Sequence, residues 1–334
     1  MNKIINQPEQ MIKEMIEGYI ATCPDLFEPL PDYKGILMKR KKDKVSIVTG
    51  GGSGNEPWIL GYVGEGLADG AALGNVYIAP PARAILNVTK AVNHEKGVIY
   101  ICTNHAGDVL NFELVGELAQ LDGIDTRCVF VADDITSAPR EKQEERRGVA
   151  GVALVMKVAG AACDAGLPLD EAVRVIQKAN RNTFTFSVTT SPGYLPSGKA
   201  MCELPEGFIE YGMGFNGEPG VLRTELKPAD EIADTMMEYL LNDCGVSAGD
   251  EVAVMVNGFG FTSLLELCIV NRRVAEILRG KGIKVHDLFI DSLFCPQGTG
   301  GFSISILKLD EELKRYYDMP AYSPFFKKNN RPRG

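Results

Sequence analysis

The chain has 334 residues, 45% hydrophobic and 24% charged, which suits a water-facing globular protein of two domains or one large one. A net charge of -9 and a pI near 5.1 argue against a nucleic-acid-binding surface as the main role. No apolar run approaches the ~20 residues that span a bilayer, and the polar residues after Met1-Asn2-Lys3-Ile4-Ile5 do not suit a secretory signal. Eight cysteines without a Cys-x-x-Cys pair suggest neither a zinc ribbon nor a redox dithiol, so reduced thiols in a cytoplasmic protein are expected.

In chain order, Met11, Ile12, Met15, Ile16, Tyr19 and Ile20 form a helical stripe between Pro8 and Thr22. Residues 25–44 are rich in Pro, Gly and Lys and read as a connector. Val45-Ser46-Ile47-Val48 is a short buried strand, followed by the loop Thr49-Gly50-Gly51-Gly52-Ser53-Gly54-Asn55-Glu56-Pro57. Four glycines in five positions leave amides open to a close ligand, anionic or polyhydroxylated, although a tight turn without a ligand has the same composition. The spacing is neither a P-loop nor a dinucleotide fingerprint. Glycines at 61, 64, 66, 70 and 74 suggest close backbone packing or a pocket wall.

A helix over 81–93 leads to the strand Val98–Cys102, the loop Thr103-Asn104-His105-Ala106-Gly107-Asp108, and a second helix. A strand over 126–132 ends in Asp133-Asp134. Strands alternating with helices point to an α/β sheet with functional loops at strand ends. Arg146-Arg147 reads foremost as a solvated helix entrance, with phosphate or partner binding as the alternative. After helices over 152–162 and 168–180, the pattern restarts at the strand 184–188. Turns follow at Ser191-Pro192-Gly193 and Pro196-Ser197-Gly198. A second glycine loop, Gly212 to Gly220, echoes the first through Asn216, Glu218 and Pro219. Then come a helix near 232–240, a strand at 252–256, a helix over 264–278 and strands at 285–290 and 303–309. We expect two α/β domains with mixed sheets, 1–182 and 183–334.

Chemistry at a hydroxyl needs a base beside the proton, and Asp108, just past a strand end, is the first candidate. An Asp in this position also suits a helix N-cap, which sequence alone favours. Asp133 and Asp134 suit Mg²⁺ less well than they suit turns, and no metal site is expected. His105, His94 and His286 show no partner spacing. Ser53 lacks the nucleophile-elbow pattern.

The motifs Gly50-Gly51-Gly52-Ser53-Gly54-x-Glu56-Pro57, Gly61-Tyr62-Val63-Gly64-x-Gly66, Asn104-x-x-Gly107-Asp108-x-Leu110-Asn111-Phe112-Glu113, Arg146-Arg147-Gly148-Val149-Ala150, Gly214-x-x-Gly217-Glu218-Pro219-Gly220 and Gly300-Gly301-Phe302-Ser303-Ile304 occur in this order. Together they resemble the substrate-binding subunit of dihydroxyacetone (glycerone) kinase along essentially the whole chain. The resemblance implies a two-domain α/β subunit, normally a homodimer, that binds a short ketose and no nucleotide. It implies a helical partner subunit carrying ATP or ADP with Mg²⁺, which in the phosphotransferase-system versions is a recharged cofactor.

It also implies Asp108 as general base, with Gly52, Ser53, Gly54, Asn55, Thr103 and Asn216 around the substrate. Departures accompany the matches. The family places histidines where this chain has Asn55 and Asn216, the second capturing the ketone covalently, and commonly a lysine where it has Thr103. An amide nitrogen is no usable nucleophile, so capture at Asn216 is chemically excluded. Two readings follow: a kinase subunit holding a short ketose or polyol noncovalently, or an inactive ligand sensor acting as a regulatory co-activator.

Overall fold

The computed structural model describes residues 4–40, 42–195 and 197–328, so Met1–Lys3 and Pro196 of the readings above lie outside it. Two six-stranded sheets organise the chain. The first contains β1 (Phe27–Pro29), β2 (Gly35–Met38), β3 (Ser46–Ser53), β4 (Gly70–Val76), β5 (Val98–Thr103) and β6 (Thr126–Val131), in the order β1-β2-β4-β3-β5-β6. Strands β4, β3, β5 and β6 run parallel, and β2 and β1 extend the edge in antiparallel fashion.

These central strands are apolar on both faces because both are covered. Val48 and Tyr100 pack with α2 (Ala82–Val92) and α3 (Ala106–Leu121), whereas Ile47, Ile99 and Ile101 belong to a second cluster on the opposite face. That cluster includes residues of α1 (Met11–Thr22), α4 (Val152–Asp164) and α5 (Leu169–Arg181). The alternation is the period of two that a pleated strand imposes.

The second sheet takes β7 (Thr183–Ser191), β8 (Phe208–Tyr211), β9 (Leu222–Glu225), β10 (Glu251–Gly258), β11 (Lys284–Asp291) and β12 (Gly300–Leu309), in the order β11-β10-β12-β7-β8-β9. Only β10 and β11 pair in parallel, so this sheet is mixed. Phe184, Phe186, Val254, Ile304 and Ile306 bury one face against α6 (Ala229–Cys244) and α7 (Leu264–Gly280). Helix α8 (Glu311–Tyr317) and the short pair β13 (Ala321–Tyr322) and β14 (Lys327–Lys328) follow.

Helix α4 joins the two halves. Val152 to Cys163 are all buried: Val155 and Ala159 lie in the cluster under the first sheet, and Leu154 and Val158 pack with Ala253 and Leu307 of the second. No helix among the described residues is long and apolar enough to cross a membrane.

Several local expectations need correction. The supposed connector 25–44 contains β1 and β2, because Ile36-Leu37-Met38 finds a sheet edge. The glycine stretch is not a loop throughout: Gly50–Ser53 continue β3 and pair with Ala72, Leu73, Gly74 and Val76 of β4. Glycine is required there by close approach, since a Cβ at Gly50 would stand 2.6 Å from Ala72 O and one at Gly52 2.7 Å from Ile78 N. The loop proper begins at Gly54, whose φ is +109°. Strands β4, β8, β9, β13 and β14 and helix α8 have no counterpart in the sequence reading. Arg146 is not solvated: its side chain is 0% exposed.

Candidate functional site

Leaving β3, the chain forms β4 on one side of it and then β5 on the other, with β3 and β5 parallel neighbours. In open α/β sheets this reversal opens a crevice at the carboxyl ends of the strands. Ser53, Gly54 and Asn55 at the end of β3, and Thr103 at the end of β5, border that crevice. Asp108 enters it from the first turn of α3.

The β3 end is held from both halves of the chain. Gly54 N donates to Glu56 Oε1 at 2.9 Å, and Gly54 O accepts from Gln297 N at 2.9 Å. Cys295 N donates to Asn55 O at 3.1 Å. Ser53 Oγ donates to Gly74 O at 2.8 Å, so its proton serves the strand pair β3–β4. Burial pushes the Glu56 carboxyl above its ordinary range. A cavity of about 450 Å³ lies on the outer flank of this loop, against Met11 and Met15, and Asp108 does not line it.

Two buried acceptors at these strand ends lack partners. Asn55 is 5% exposed and Asp108 is 6% exposed, and the Oδ1 atom of each makes no hydrogen bond among the described residues. The N-cap of α3 is His105 and not Asp108, so capping does not explain the carboxylate. Burial raises the Asp108 pKa from 3.8 to about 7. An unpaired buried carboxyl is costly to folding, and such groups concentrate where a ligand or reaction uses them. Thr103 is buried at 2% exposure, and its carbonyl accepts from His105 N at 2.8 Å.

The opposite wall is the β8–β9 loop. Asn216 there is exposed, and its backbone N and Nδ2 donate to the Glu218 carboxylate at 3.1 and 3.4 Å. Glu218 lies 4.0 Å from both His105 Nδ1 and Arg147 Nη1. His105 Nε2 sits 2.9 Å from Gly148 O, and Arg147 pairs with Asp134 at 2.8 Å. The direction of His105, illegible in the sequence, is thus towards the Asn216 loop through Glu218.

Other sequence candidates serve the scaffold. Arg146 makes a bidentate pair with Asp243 at 2.8 and 2.6 Å, and its Nε donates to Ala138 O. Asp133 accepts from Val149 N and Gly151 N, both at 2.7 Å, at the entry to α4. His286 is flanked by Asp318 and Glu251, away from the crevice. Among the described residues no group of three or more His, Cys, Asp or Glu is placed to hold a metal ion.

Two residues at the site, Asn257 and Trp58, escaped the sequence reading, and a third, Glu218, was read only as part of a motif. Asn257, fully buried at the end of β10, accepts from Leu293 N and Phe294 N and donates to Phe294 O. It thereby fixes the 293–297 segment against the glycine loop. Glu218 bridges the two walls. Trp58 lies beneath Gly51; its only sequence signal was being the single tryptophan.

Residues 17–325 match the Dak1 domain, and the chain belongs to that family. It is 40% identical to the dihydroxyacetone-binding subunit DhaK of PTS-dependent dihydroxyacetone kinase 2 from Listeria innocua serovar 6a, covering 98% of this chain and 99% of that protein. It is 36% identical to L-erythrulose kinase of Pectobacterium atrosepticum over 99% of this chain, which spans only 57% of that protein's length. Among solved structures, the dihydroxyacetone kinase operon co-activator DhaQ superposes with a TM-score of 0.87 at 29% identity, covering 92% of this chain and 96% of that one. Dihydroxyacetone kinase of C. freundii, in complex with AMP-PNP and Mg²⁺, superposes at 0.88 and 30% identity, covering 96% of this chain and 60% of that one.

Proposed function

We propose that this member of the Dak1 family is the substrate-binding subunit of a dihydroxyacetone-kinase-like phosphotransferase. It holds a short ketose or polyol noncovalently while a partner subunit brings the phosphoryl group. The observation that carries the reading is Asp108: a buried carboxyl without a partner, at a strand-end crevice beside a glycine-lined strand. With its pKa near 7 it is poised to take a proton from an attacking hydroxyl at neutral pH. Gly52, Ser53, Gly54, Asn55 and Thr103 would border the substrate, and Asn216 would meet another of its oxygens from the opposite wall.

The likeness to a dihydroxyacetone-binding subunit of a PTS-dependent kinase, over 99% of that subunit, supports a division of labour in which nucleotide and Mg²⁺ sit on a separate helical subunit. A cytoplasmic homodimer with this partner, divided into units 1–182 and 183–334, completes the reading. The test is reconstitution with a helical nucleotide subunit from the same source and a screen of C3–C5 ketoses and polyols for phosphate transfer. Transfer to at least one is expected. Mass spectrometry after incubation with dihydroxyacetone should find no covalent adduct, because Asn216 offers no nucleophile. Tight binding with no transfer to any compound would sink the enzyme reading.

A second reading has its own support. The likeness to the co-activator DhaQ extends over 92% of the chain, so a ligand sensor reporting to a regulatory partner is the alternative. Binding without transfer in the same screen is the outcome that favours it.

A further inference from the structure

We infer that Trp58 is a ligand-contacting residue whose indole Nε1–H donates a hydrogen bond to an oxygen of the substrate, across from Asp108. The inference rests on the ketose- or polyol-binding reading and assigns a specificity-determining role within that site. Trp58 is 1% exposed, and its Nε1–H donates to no group among the described residues. The N–H of a largely buried indole usually finds an acceptor, and this one is left available to a ligand.

Nε1 lies close to both β3 and Asp108. A Cβ on Gly51 would stand 3.3 Å from Trp58 Nε1 and 3.8 Å from Asp108 Oδ2. The same Cβ would stand 3.3 Å from Ile59 Cδ1, so glycine at position 51 lets an unused donor and an under-used carboxylate both come close to the β3 backbone. Backbone residues of the same turn connect this place to the second orphaned acceptor, since Asn55 and Trp58 form a bridge.

The indole is held rigidly. It stacks on Phe294, with ring centroids 5.6 Å apart, and meets Tyr62 edge-on at 4.9 Å. Phe294 in turn packs against Phe215, the neighbour of Asn216, so one aromatic wall runs from Gly51 to the far loop. A rigid wall of this kind holds a hydrogen-bond donor at a set distance from the base.

The chemistry constrains the ligand. Indole can only donate, so the oxygen it meets must accept: a carbonyl or a hydroxyl lone pair. Ionised Asp108 can only accept, so the group it meets must carry a proton. A ligand with an acceptor oxygen and a hydroxyl on adjacent carbons, an α-hydroxyketone above all, satisfies both. The Trp58 N–H then polarises the carbonyl through a hydrogen bond, with no bond formed or broken.

Because the chain has a single tryptophan, the test needs no mutation at first. Protein carrying ¹⁵N-labelled tryptophan gives one indole N–H signal, which is followed while dihydroxyacetone, L-erythrulose and glycerol are titrated; calorimetry measures binding separately. We expect a saturable downfield shift of that signal with the ketoses, tracking the calorimetric isotherm, and a smaller one with glycerol. Trp58→Phe, if folded by circular dichroism, should bind the ketoses about 5- to 30-fold more weakly, the loss of one buried hydrogen bond. Ketose binding with an unmoved indole signal would overturn the role of Trp58 while leaving the ketose reading intact. If calorimetry detects no ketose or polyol binding, the ketose reading fails and the role of Trp58 fails with it.

Discussion

At the residue scale, the titration of Asp108, the proposed base, gives two readouts of opposite sign. The carboxyl is a base only when ionised, so transfer should rise with pH through about 7 and level off above it. Stability runs the other way. The native pKa lies above the unfolded value of 3.8, so between the two the native state keeps a proton that the unfolded state has released. Stability conferred by this group is therefore complete below about 4 and falls as pH rises towards 7, by roughly 2–4 kcal/mol. Asp108→Asn should abolish transfer yet raise the melting temperature by several degrees at pH 8, with little change at pH 4. If activity survives the substitution, Asp108 is structural. If the pH 8 gain is missing, the carboxylate is not the unpaired group described above.

At the scale of elements, α4 is the member that admits least change. Its entry is shaped by Asp133 accepting from Val149 N and Gly151 N, and its length is buried all round. Gly160 lets the helix touch the 64–68 turn: a Cβ there would stand 2.1 Å from Gly66 O, against backbone that has no rotamer to yield. Gly160→Ala should lower stability by about 1–3 kcal/mol, read as a lower urea midpoint at unchanged slope, despite alanine's better helix propensity. A higher midpoint would mean that propensity outweighs contact and that α4 is packed more loosely. The sequence disclosed the small residues of this helix but not what they approach, because the partner backbone lies almost a hundred residues earlier in the chain.

At the scale of the molecule, each sheet is built from one side of the proposed 182/183 division, yet the apolar interior is shared. Trp58 and Tyr62 from the first half cluster with Phe215, Met255, Phe259, Leu293 and Phe294 from the second, and Tyr62 Oη donates to Leu293 O at 3.0 Å. The fully buried Arg146 pairs with the half-buried Asp243 across the same division, and removing the carboxylate would leave a buried charge unpaired. Expressed separately, fragments 1–182 and 183–334 should therefore show non-cooperative thermal unfolding and bind a hydrophobic dye, and should regain a cooperative transition when co-expressed. A fragment that unfolds cooperatively by itself would contradict a shared core.

The sequence by itself determined the α/β class, the long helices and the strands β3, β5, β6, β7, β10, β11 and β12 in order, the family, and Asp108 as the base to consider. Those features rest on local periodicity and on motifs whose residues lie close together along the chain. Only the tertiary structure decided that Asp108 is an unpaired buried carboxyl and not a cap, since burial and partners are properties of distant segments packing together. The same holds for β3 running through its glycines, which needs β4 beside it, and for Arg146, whose partner Asp243 is 97 residues away. Trp58 is the sharpest instance. One indole among 334 residues carries no pattern, and its N–H has meaning only because folding sets it beside Gly51 and near Asp108.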